Sequence, residues 1–511
     1  MKEYVTGKKL VANGLASVSM MLCGFAVSFW LVPTFIGKLG AALYGTWLIS
    51  GIVAGQIGFL DMGFSHGITR NVTICLSKND KHELSQTIWA GLIILATLGI
   101  VSGLILFSGT NLILSLLKVS HEHWEEASKL LMVTGFCLVI EWPLRMLPTL
   151  LSAAMLERYT APLYSIHGII MNVTFIFMLQ NGCKSLVALR LVQFAGAIIL
   201  AIIQFALVRT LLPIVALQKI SNPIPLLKKI TPYSLGTFYY GVLSYIAIGI
   251  DSFILGLFFG PIAITNYNVI SKMFVLIQQI TMPILVNFNT AVAHIQSLSD
   301  YTKIERFMNK SVQIRIFIVF SMVFPAILIL PNFIKLWVGE EMLEHVVWGQ
   351  IYLVVPLFAC LGQAVGVLRG CGKLRMVNTF STIGAIFNFT VSLICVKLFG
   401  FGGVIMGTVA THLLLGDPVL FPIICNRLGF KWKPLLRMFF KCIFFNTFLA
   451  GVMYFFVREI DYNWGNLIAI SASMGCCFAL MNCFISLNKE LRENLWSIFK
   501  QFVARFIPHE V

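Results

Sequence analysis

The stretch LYGTWLISGIVAGQIGFLDMGFSHGITRNV (residues 43–72) indicates the class of fold. It is almost entirely apolar as far as Leu60, and a helix of this length crosses a hydrocarbon core of about 30 Å. Beyond Leu60 it carries Asp61, followed by His66 and Arg70. Because a carboxylate is costly in lipid, Asp61 is expected to face protein or a hydrated cavity.

Apolar segments of this kind recur along the whole chain of 511 residues, of which 58% are hydrophobic and 11% charged. A soluble domain cannot cover so many apolar side chains with a polar exterior. The runs are continuous rather than alternating, which favours helices over a β-barrel. We predict an all-α polytopic membrane protein with about fourteen transmembrane helices. The predicted spans are 10–32, 43–66, 86–107, 128–154, 160–179, 186–208, 232–258, 262–290, 313–335, 346–368, 376–396, 402–425, 438–457 and 464–487.

The net charge of +16 follows this predicted topology. With the N-terminus inside, most Lys and Arg residues fall in the inner loops, whereas acidic residues divide almost evenly between the two sides. Basic inner segments such as 369–375 and 427–441 contrast with the acidic outer segment HEHWEE (121–126). This is the positive-inside pattern, so we expect both termini in the cytoplasm and no nucleic-acid partner.

A weak internal repeat divides the chain into halves. GAALYGTW (40–47) and GPIAITNYN (260–268) each open the second span of a half, and LSAAMLERY (151–159) matches AVGVLRGCGK (364–373) at the close of the fourth. Repeated halves around a central cavity are typical of secondary transporters. We therefore predict two pseudo-symmetric six-helix bundles plus two extra C-terminal helices. The predicted segments are the N-terminal bundle 1–208, a cytoplasmic linker 209–231, the second bundle 232–425, the two additional helices 426–487 and a cytoplasmic amphipathic tail 488–511.

Ionisable residues inside the predicted spans are candidates for function, because each is costly to bury in lipid. Helical spacing places them in four polar stripes, two in each half at matching positions. The stripes are Trp47, Ser50, Ala54, Asp61 and Ser65; Thr134, Glu141, Arg145, Pro148 and Ser152; Thr237, Tyr240, Ser244 and Asp251; and Thr265, Asn268, Lys272, Gln279 and Pro283. This matching arrangement predicts a hydrated cavity between the halves.

Several of these residues also have a purely structural interpretation. Glu141 and Arg145 are four positions apart and could neutralise each other within one helix. Asp251 could be a helix-packing acceptor, and Asp417, which precedes a proline, could only stabilise a kink. Lys272 lacks a partner on its own helix, which favours a functional role.

Other residue types carry less information about function. Arg190 lies at the outer end of its span and is expected to extend towards the lipid headgroups. The histidines lack metal-ligand spacing, and the twelve cysteines include no C-x-x-C pair. We therefore expect neither a metal site nor a disulfide framework.

Residues 43–72 resemble the second span of bacterial polysaccharide exporters. These are the O-antigen and repeat-unit flippases of the multidrug/oligosaccharidyl-lipid/polysaccharide flippase superfamily. The family's Y-G-x-W start, L-D-x-G-x turn and basic residue are matched by Tyr44, Gly45, Trp47, Leu60, Asp61, Gly63 and Arg70. Its D-x-x-x-x-G, turn and Y-x-x-x-x-K arrangement is matched by Asp251, Gly256, Gly260, Tyr267 and Lys272. Met62 and Phe64 depart from the usual Leu and second Gly, which leaves the subfamily open.

The resemblance implies a flippase in the bacterial cytoplasmic (inner) membrane. Its cargo would be an undecaprenyl-pyrophosphate-linked oligosaccharide, such as an O-antigen repeat unit, moved from the inner to the outer leaflet by alternating access. We expect Lys272 and Arg145 to hold the pyrophosphate. The other expected substrate-binding residues are Tyr240, Asn268 and Gln279, and the expected coupling or gating residues are Asp61, Glu141, Asp251 and Arg70.

No cofactor is implied, and H⁺, Na⁺ or the membrane potential is the candidate driving force. Membrane lipids, a polysaccharide polymerase and a chain-length regulator are candidate partners. Two other transport functions remain open, multidrug export and peptidoglycan-precursor flipping, although a cationic drug would favour a more acidic cavity. A membrane-embedded polymerase or acyltransferase fits less well, because the chain offers no sizeable outer loop and no nucleophile–base pair.

Overall fold

The computed structural model describes residues 7–215, 249–296, 301–458, 460 and 462–506. Across these ranges the chain forms helices joined by short turns and contains no β-strand, which confirms the all-α prediction. The α-helices are α1 (Gly7–Lys78), α2 (Lys81–Leu116), α3 (Trp124–Leu144), α4 (Met146–Ala153), α5 (Glu157–Gln180), α6 (Leu186–Leu211), α7 (Ile250–Phe259), α8 (Pro261–Ile270), α9 (Lys272–Gln296), α10 (Tyr301–Val338), α11 (Val346–Tyr352), α12 (Val355–Ala359), α13 (Gln363–Gly370), α14 (Leu374–Phe399), α15 (Gly402–Leu414), α16 (Asp417–Leu428), α17 (Lys433–Val457), α18 (Trp464–Ser486) and α19 (Lys489–Phe506).

Ten helical segments in the described ranges are long and apolar enough to cross a membrane. Three shorter apolar helices, Val27–Leu39, Ala41–Gly55 and Ile250–Phe259, accompany them. The predicted seventh span, 232–258, falls mostly outside the described residues. The chain is therefore a multi-pass membrane protein, and the count of fourteen spans stays a prediction.

The helices break at Gly40, Arg145 and Ser271, and at the first two of these positions a glycine or a proline lies at the break. Gly40 interrupts α1 with φ 83°, a conformation that only glycine adopts readily. The predicted eighth span, 262–290, is divided between α8 and α9, which meet at Ser271. The predicted fourth span is likewise two helices, α3 and α4, which meet at Arg145 just after Pro143.

The break at Gly40 brings α1 against the start of α8. The Thr265 hydroxyl donates a hydrogen bond to the Ala41 carbonyl, with an O–O distance of 2.8 Å. A Cβ added to Gly45 would lie only 2.1 Å from the Pro261 carbonyl oxygen. Gly45 of the Y-G-x-W motif is therefore required for close backbone packing.

The chain divides into two compact units, Met1–Thr265 and Asn266–Val511. In the first unit α2 packs against α3 through small residues, since a Cβ on Gly103 would lie 3.1 Å from the Gly135 carbonyl. Such close approach is a common way to pack helices in membranes. The predicted linker 209–231 falls largely outside the described residues, so the predicted domain boundaries stay predictions.

The second unit is built around the long helix α10. Phe320 of α10 packs edge-to-face on Phe439 of α17, and Phe324 stacks on Phe478 of α18. Two fully buried asparagines lie between the same helices: the Asn446 amide donates to the Asn482 carbonyl at 2.8 Å, and Asn482 donates back at 3.0 Å. These contacts attach α17 and α18 to α10.

The C-terminal helix α19 is also attached to α10. Lys310 pairs with Glu490 at 2.6 Å, and the backbone N–H of Asn488 donates to Gln313 at 3.0 Å. These two contacts hold the start of α19 beside the first turns of α10.

Candidate functional site

A polar cavity of about 700 Å³ lies within the first unit, between α1, α3, α5 and α6. Its lining residues are Trp47, Leu48, Ser50, Gly51, Ile52, Ala54, Gly55, Thr134, Leu138, Glu141, Arg145, His167, Arg190, Gln193 and Ala197. Parts of the two polar stripes predicted for the first half meet here: Trp47, Ser50 and Ala54 of one stripe and Thr134, Glu141 and Arg145 of the other line the cavity.

Small residues on α1 keep this cavity open. No atom lies within 4 Å of the position that a Cβ would take on Gly51 or Gly55. The adjacent small residues Ser50 and Ala54 line the cavity from the same helix. The space is thus a property of the sequence of α1, and a larger side chain at either glycine would enter it.

Glu141 of α3 forms an ion pair with Arg190 of α6. Nη2 of Arg190 lies 2.9 Å from Oε1 and 3.0 Å from Oε2 of Glu141. Arg190 is 6% exposed, so the expectation that it extends to the lipid headgroups is wrong. The alternative in which Glu141 is neutralised by Arg145 is wrong as well, because the ion-pair partner of Glu141 comes from a different helix.

Arg145 lies at the junction of α3 and α4, where Pro143 and the change of helix alter its direction relative to Glu141. Its guanidinium carbon lies 4.7 Å from the centre of the Trp142 ring. Trp142 itself is fully buried, so the stacking holds the cation against a rigid surface. Arg145 lines the cavity as its second guanidinium group.

Aromatic and neutral polar groups complete the lining. Trp47 packs edge-to-face on Phe175 of α5, with ring centres 5.7 Å apart, and is tilted against Phe35 at 5.8 Å. Nε2 of His167 is buried without a hydrogen-bond partner among the described residues. Gln193 supplies an amide. The described part of the lining thus carries two guanidinium groups and one carboxylate beside aromatic and neutral polar groups. Guanidinium groups of this kind bind anionic oxygens.

The other predicted substrate-binding residues belong to the second unit or fall outside the described residues. Lys272 is the first residue of α9 and is partly buried, and its ammonium group makes no ion pair with a described residue. Asn268 is partly buried on α8, and Gln279 is exposed on α9. Tyr240 lies outside the described residues.

Tyr267, which precedes Lys272 in the matched motif, is held in place by hydrogen bonding and packing. Its hydroxyl lies 3.0 Å from that of Tyr352, and the Tyr352 ring lies 4.1 Å from Phe274. The Y-x-x-x-x-K segment is therefore packed against α11 in the second unit.

The predicted coupling or gating residues are spread over three helices of the first unit. Glu141 lines the cavity, and Asp251 is 3% exposed at the start of α7. Arg70 is exposed on α1. Asp61 lies on α1, and its side chain is outside the described part of the structure. No group of three or more His, Cys, Asp or Glu among the described residues is placed to hold a metal ion.

Two buried arginines, Arg190 and Arg315, were not among the predicted site residues. A signal for Arg190 was present, because Arg190, Gln193 and Ala197 recur at helical spacing on one face of an otherwise apolar helix. The position of Arg190 on α6 alone suggested a headgroup contact. Only the packing of α6 on α3 shows that it reaches Glu141.

Arg315 forms a buried polar cluster in the second unit. It is 4% exposed and donates to Gln363 at 3.2 Å, and Gln363 donates to Ser311 at 3.3 Å. Oδ2 of Asp417 lies 2.8 Å, and Nη1 of Arg315 3.3 Å, from the point where Gly362 would carry a Cβ. Each unit thus holds a buried arginine near a carboxylate. Asp417 therefore lies in a polar cluster, in addition to preceding the proline at the helix kink.

Comparison with solved structures identifies the fold. The lipid II flippase MurJ in an inward closed conformation aligns over 92% of this chain and 98% of its own, with a TM-score of 0.73 at 15% identity. An inward-facing multidrug resistance MATE family transporter of the MOP superfamily aligns over 80% and 94%, with a TM-score of 0.62 at 14% identity. A MOP superfamily transporter from Pyrococcus furiosus aligns over 81% and 94%, with a TM-score of 0.58 at 13% identity.

The chain also matches a model of a protein family. The family described as polysaccharide biosynthesis protein matches residues 10–288, more than half of the chain. No curated protein matches the chain significantly in sequence. The family match and the MurJ- and MATE-like fold together confirm the resemblance noted for residues 43–72 and 250–274.

Proposed function

This chain belongs to the polysaccharide biosynthesis protein family, and from that premise we propose that it is a flippase for lipid-linked oligosaccharides. The cargo would be an oligosaccharide on undecaprenyl pyrophosphate, such as an O-antigen repeat unit. It would move from the inner to the outer leaflet of the bacterial cytoplasmic membrane, with both termini of the protein in the cytoplasm. The protein would act as a transporter and not as an enzyme.

The observation that carries this proposal is the charge of the cavity in the first unit. Among the described lining residues, the two guanidinium groups, Arg145 and Arg190, outnumber the one carboxylate, Glu141. Glu141 pairs with Arg190, and Arg145 lines the same site. We propose that the Arg145 guanidinium contacts the pyrophosphate there, because charge-assisted hydrogen bonds are strong in a low-dielectric site. A cationic drug would be repelled there.

The uncharged lining supports a saccharide as the other part of the cargo. Trp47 offers an aromatic face, and Gln193, Ser50 and Thr134 offer hydrogen-bonding groups. Sugars present hydroxyls together with apolar ring faces, so a mixed aromatic and amide wall suits them. From the second unit we propose Lys272, Asn268 and Gln279 as additional contacts, as the family resemblance implies.

Peptidoglycan-precursor flipping is the second candidate function. The specific observation in its favour is the alignment over 92% of the chain with a structure named lipid II flippase MurJ. The proposed pyrophosphate contact at Arg145 would serve either cargo. The two functions differ in the saccharide, and so in what accumulates when the protein is lost.

A deletion experiment separates the two functions. If the proposal holds, cells without the protein lose a surface polysaccharide, accumulate its lipid-linked repeat unit and continue to grow. Loss of peptidoglycan synthesis with lysis would instead favour the second candidate. Complementation with Lys272→Ala then tests the second-unit contact: a correctly inserted variant that restores full export would contradict that assignment, and Lys310→Ala, which removes a surface ion pair, is the control.

A further inference from the structure

The outward face of α17 combines a ladder of cations with an apolar groove. Lys433, Arg437 and Lys441 are spaced four residues apart, so they follow one another along the same side of the helix. All three side chains are exposed. The opposite side of α17 is buried and packs towards α10 and α18 through residues that include Phe439 and Asn446.

The apolar groove continues directly from this ladder. It has a volume of about 780 Å³ and is lined only by residues of α17, among them Phe440, Phe444, Phe448 and Phe455. Gly451 also lines the groove, and nothing lies within 4 Å of where its Cβ would be. At 100° per residue, Phe444, Phe448 and Phe455 lie on the same side of α17 as the three cations.

Acidic residues at this end of the unit are engaged elsewhere. Glu490 pairs with Lys310, Glu305 accepts the backbone N–H of Lys431, and Glu493 lies 4.0 Å from Lys489. Within the described residues, none of the three α17 cations forms an ion pair with any of these carboxylates. One further cation, Arg492 of α19, lies over the exposed ring of Phe484 at 5.6 Å, near where α18 ends.

We propose that this face of α17 is a specific binding site for an anionic phospholipid of the cytoplasmic leaflet. The positive-inside pattern assigns the ladder to the cytoplasmic side, where anionic headgroups are concentrated. The lipid phosphate is held by Arg437 and Lys441, with Lys433 at the rim. Its acyl chain lies along the groove.

The dimensions of the helix fit this occupant. From Arg437 to Phe448 the helix rises about 16 Å, close to the ~15 Å depth of one hydrocarbon leaflet. A lipid with its headgroup at Arg437 would therefore have its acyl chain at the depth of Phe444 and Phe448. This lipid site does not involve the cavity proposed for the cargo, because no residue of α17 lines that cavity.

The test uses the full-length protein, delipidated in detergent and titrated with phosphatidylglycerol or phosphatidylcholine while bound lipid is counted by native mass spectrometry. We expect saturable retention of phosphatidylglycerol over phosphatidylcholine. The variant Lys433→Gln/Arg437→Gln/Lys441→Gln should weaken that retention about tenfold. The control Lys303→Gln/Arg306→Gln/Arg375→Gln removes three exposed cations from other helices of the same unit and should leave it unchanged.

A second variant tests the groove without altering charge. Gly451→Leu fills the groove and should weaken phosphatidylglycerol retention severalfold at an unchanged melting temperature. The proposal is overturned if both triple variants lose lipid equally, which would show general electrostatic attraction. It is also overturned if undecaprenyl phosphate displaces phosphatidylglycerol at equimolar concentration, which would make the polyprenyl carrier the occupant.

Discussion

Nη2 of Arg190 lies within 3.0 Å of both carboxylate oxygens of Glu141, across the packed helices α3 and α6. The pair forms part of the wall of the cavity in the first unit. Removing one member of a buried pair leaves the other charge uncompensated, which costs more than the pair itself contributes. The carboxylate of Glu141 is thus paired with the Arg190 guanidinium and not with that of Arg145.

Glu141→Gln or Arg190→Gln alone should destabilise the first unit by about 3 kcal/mol. The double variant should be closer to wild type than either single variant, because no lone charge remains. Melting temperatures in detergent measure the effect. Additive losses in the double variant would show that the two side chains act independently.

Arg145→Ala should lower export of an anionic cargo about 10- to 100-fold, since a charge-assisted hydrogen bond contributes ~1.5–3 kcal/mol. The export rate of Arg145→Lys should lie between those of wild type and Arg145→Ala, because lysine keeps the charge but loses the planar stacking on Trp142. Export is measured at matched protein abundance. Lys129→Ala, which breaks an exposed pair with Glu125, is the control, and an equal loss there would contradict a specific role for Arg145.

Gly51→Leu should reduce transport about tenfold while leaving the melting temperature unchanged, because the new side chain enters open cavity space and not packed protein. Gly37 is the control: it lies earlier in α1, before the break at Gly40, with nothing within 4 Å of its Cβ position, and it does not line the cavity. Gly37→Leu should transport normally. Normal transport by Gly51→Leu would show that the cargo does not use this cavity.

Asn482→Leu should destabilise the second unit by about 1–2 kcal/mol, because the buried side-chain oxygen of Asn446 loses its donor, while the Asn446 amide still donates to the Cys442 carbonyl. Asn446→Leu/Asn482→Leu should recover most of that loss, since no unsatisfied polar group remains between α17 and α18. Thermal melting is again the measurement. A double variant less stable than both single variants would show that these asparagines stabilise the unit by another route.

Helical periodicity was enough to predict which residues share a face within one helix. Trp47, Ser50 and Ala54 were grouped in this way, and so were Glu141 and Arg145; the structure places both groups on one cavity. Periodicity does not show which helix packs on which, because that depends on side-chain fit between segments far apart in sequence. Arg145 was therefore one of the two interpretations left open for Glu141, and Arg190 was not considered as its partner.

Helix breaks were also difficult to predict from hydropathy. The breaks at Arg145 and Ser271 fall inside the predicted spans 128–154 and 262–290, which were each taken as one helix. Gly40, by contrast, falls between the predicted spans 10–32 and 43–66. Beside the break at Gly40, the hydrogen bond from Thr265 to Ala41 is a tertiary contact. A single segment does not encode such a contact.

The most direct test of the central claim is translocation in proteoliposomes by purified protein. Undecaprenyl-pyrophosphate oligosaccharide is placed in the leaflet that matches the cytoplasmic side, and its arrival in the opposite leaflet is followed by capture with an impermeant lectin. Wild type should move this lipid and Arg145→Ala should move it about 10- to 100-fold more slowly, while both remain folded and inserted. Wild-type protein that moves lipid II or a cationic dye but leaves the oligosaccharide lipid in place would contradict the proposed function.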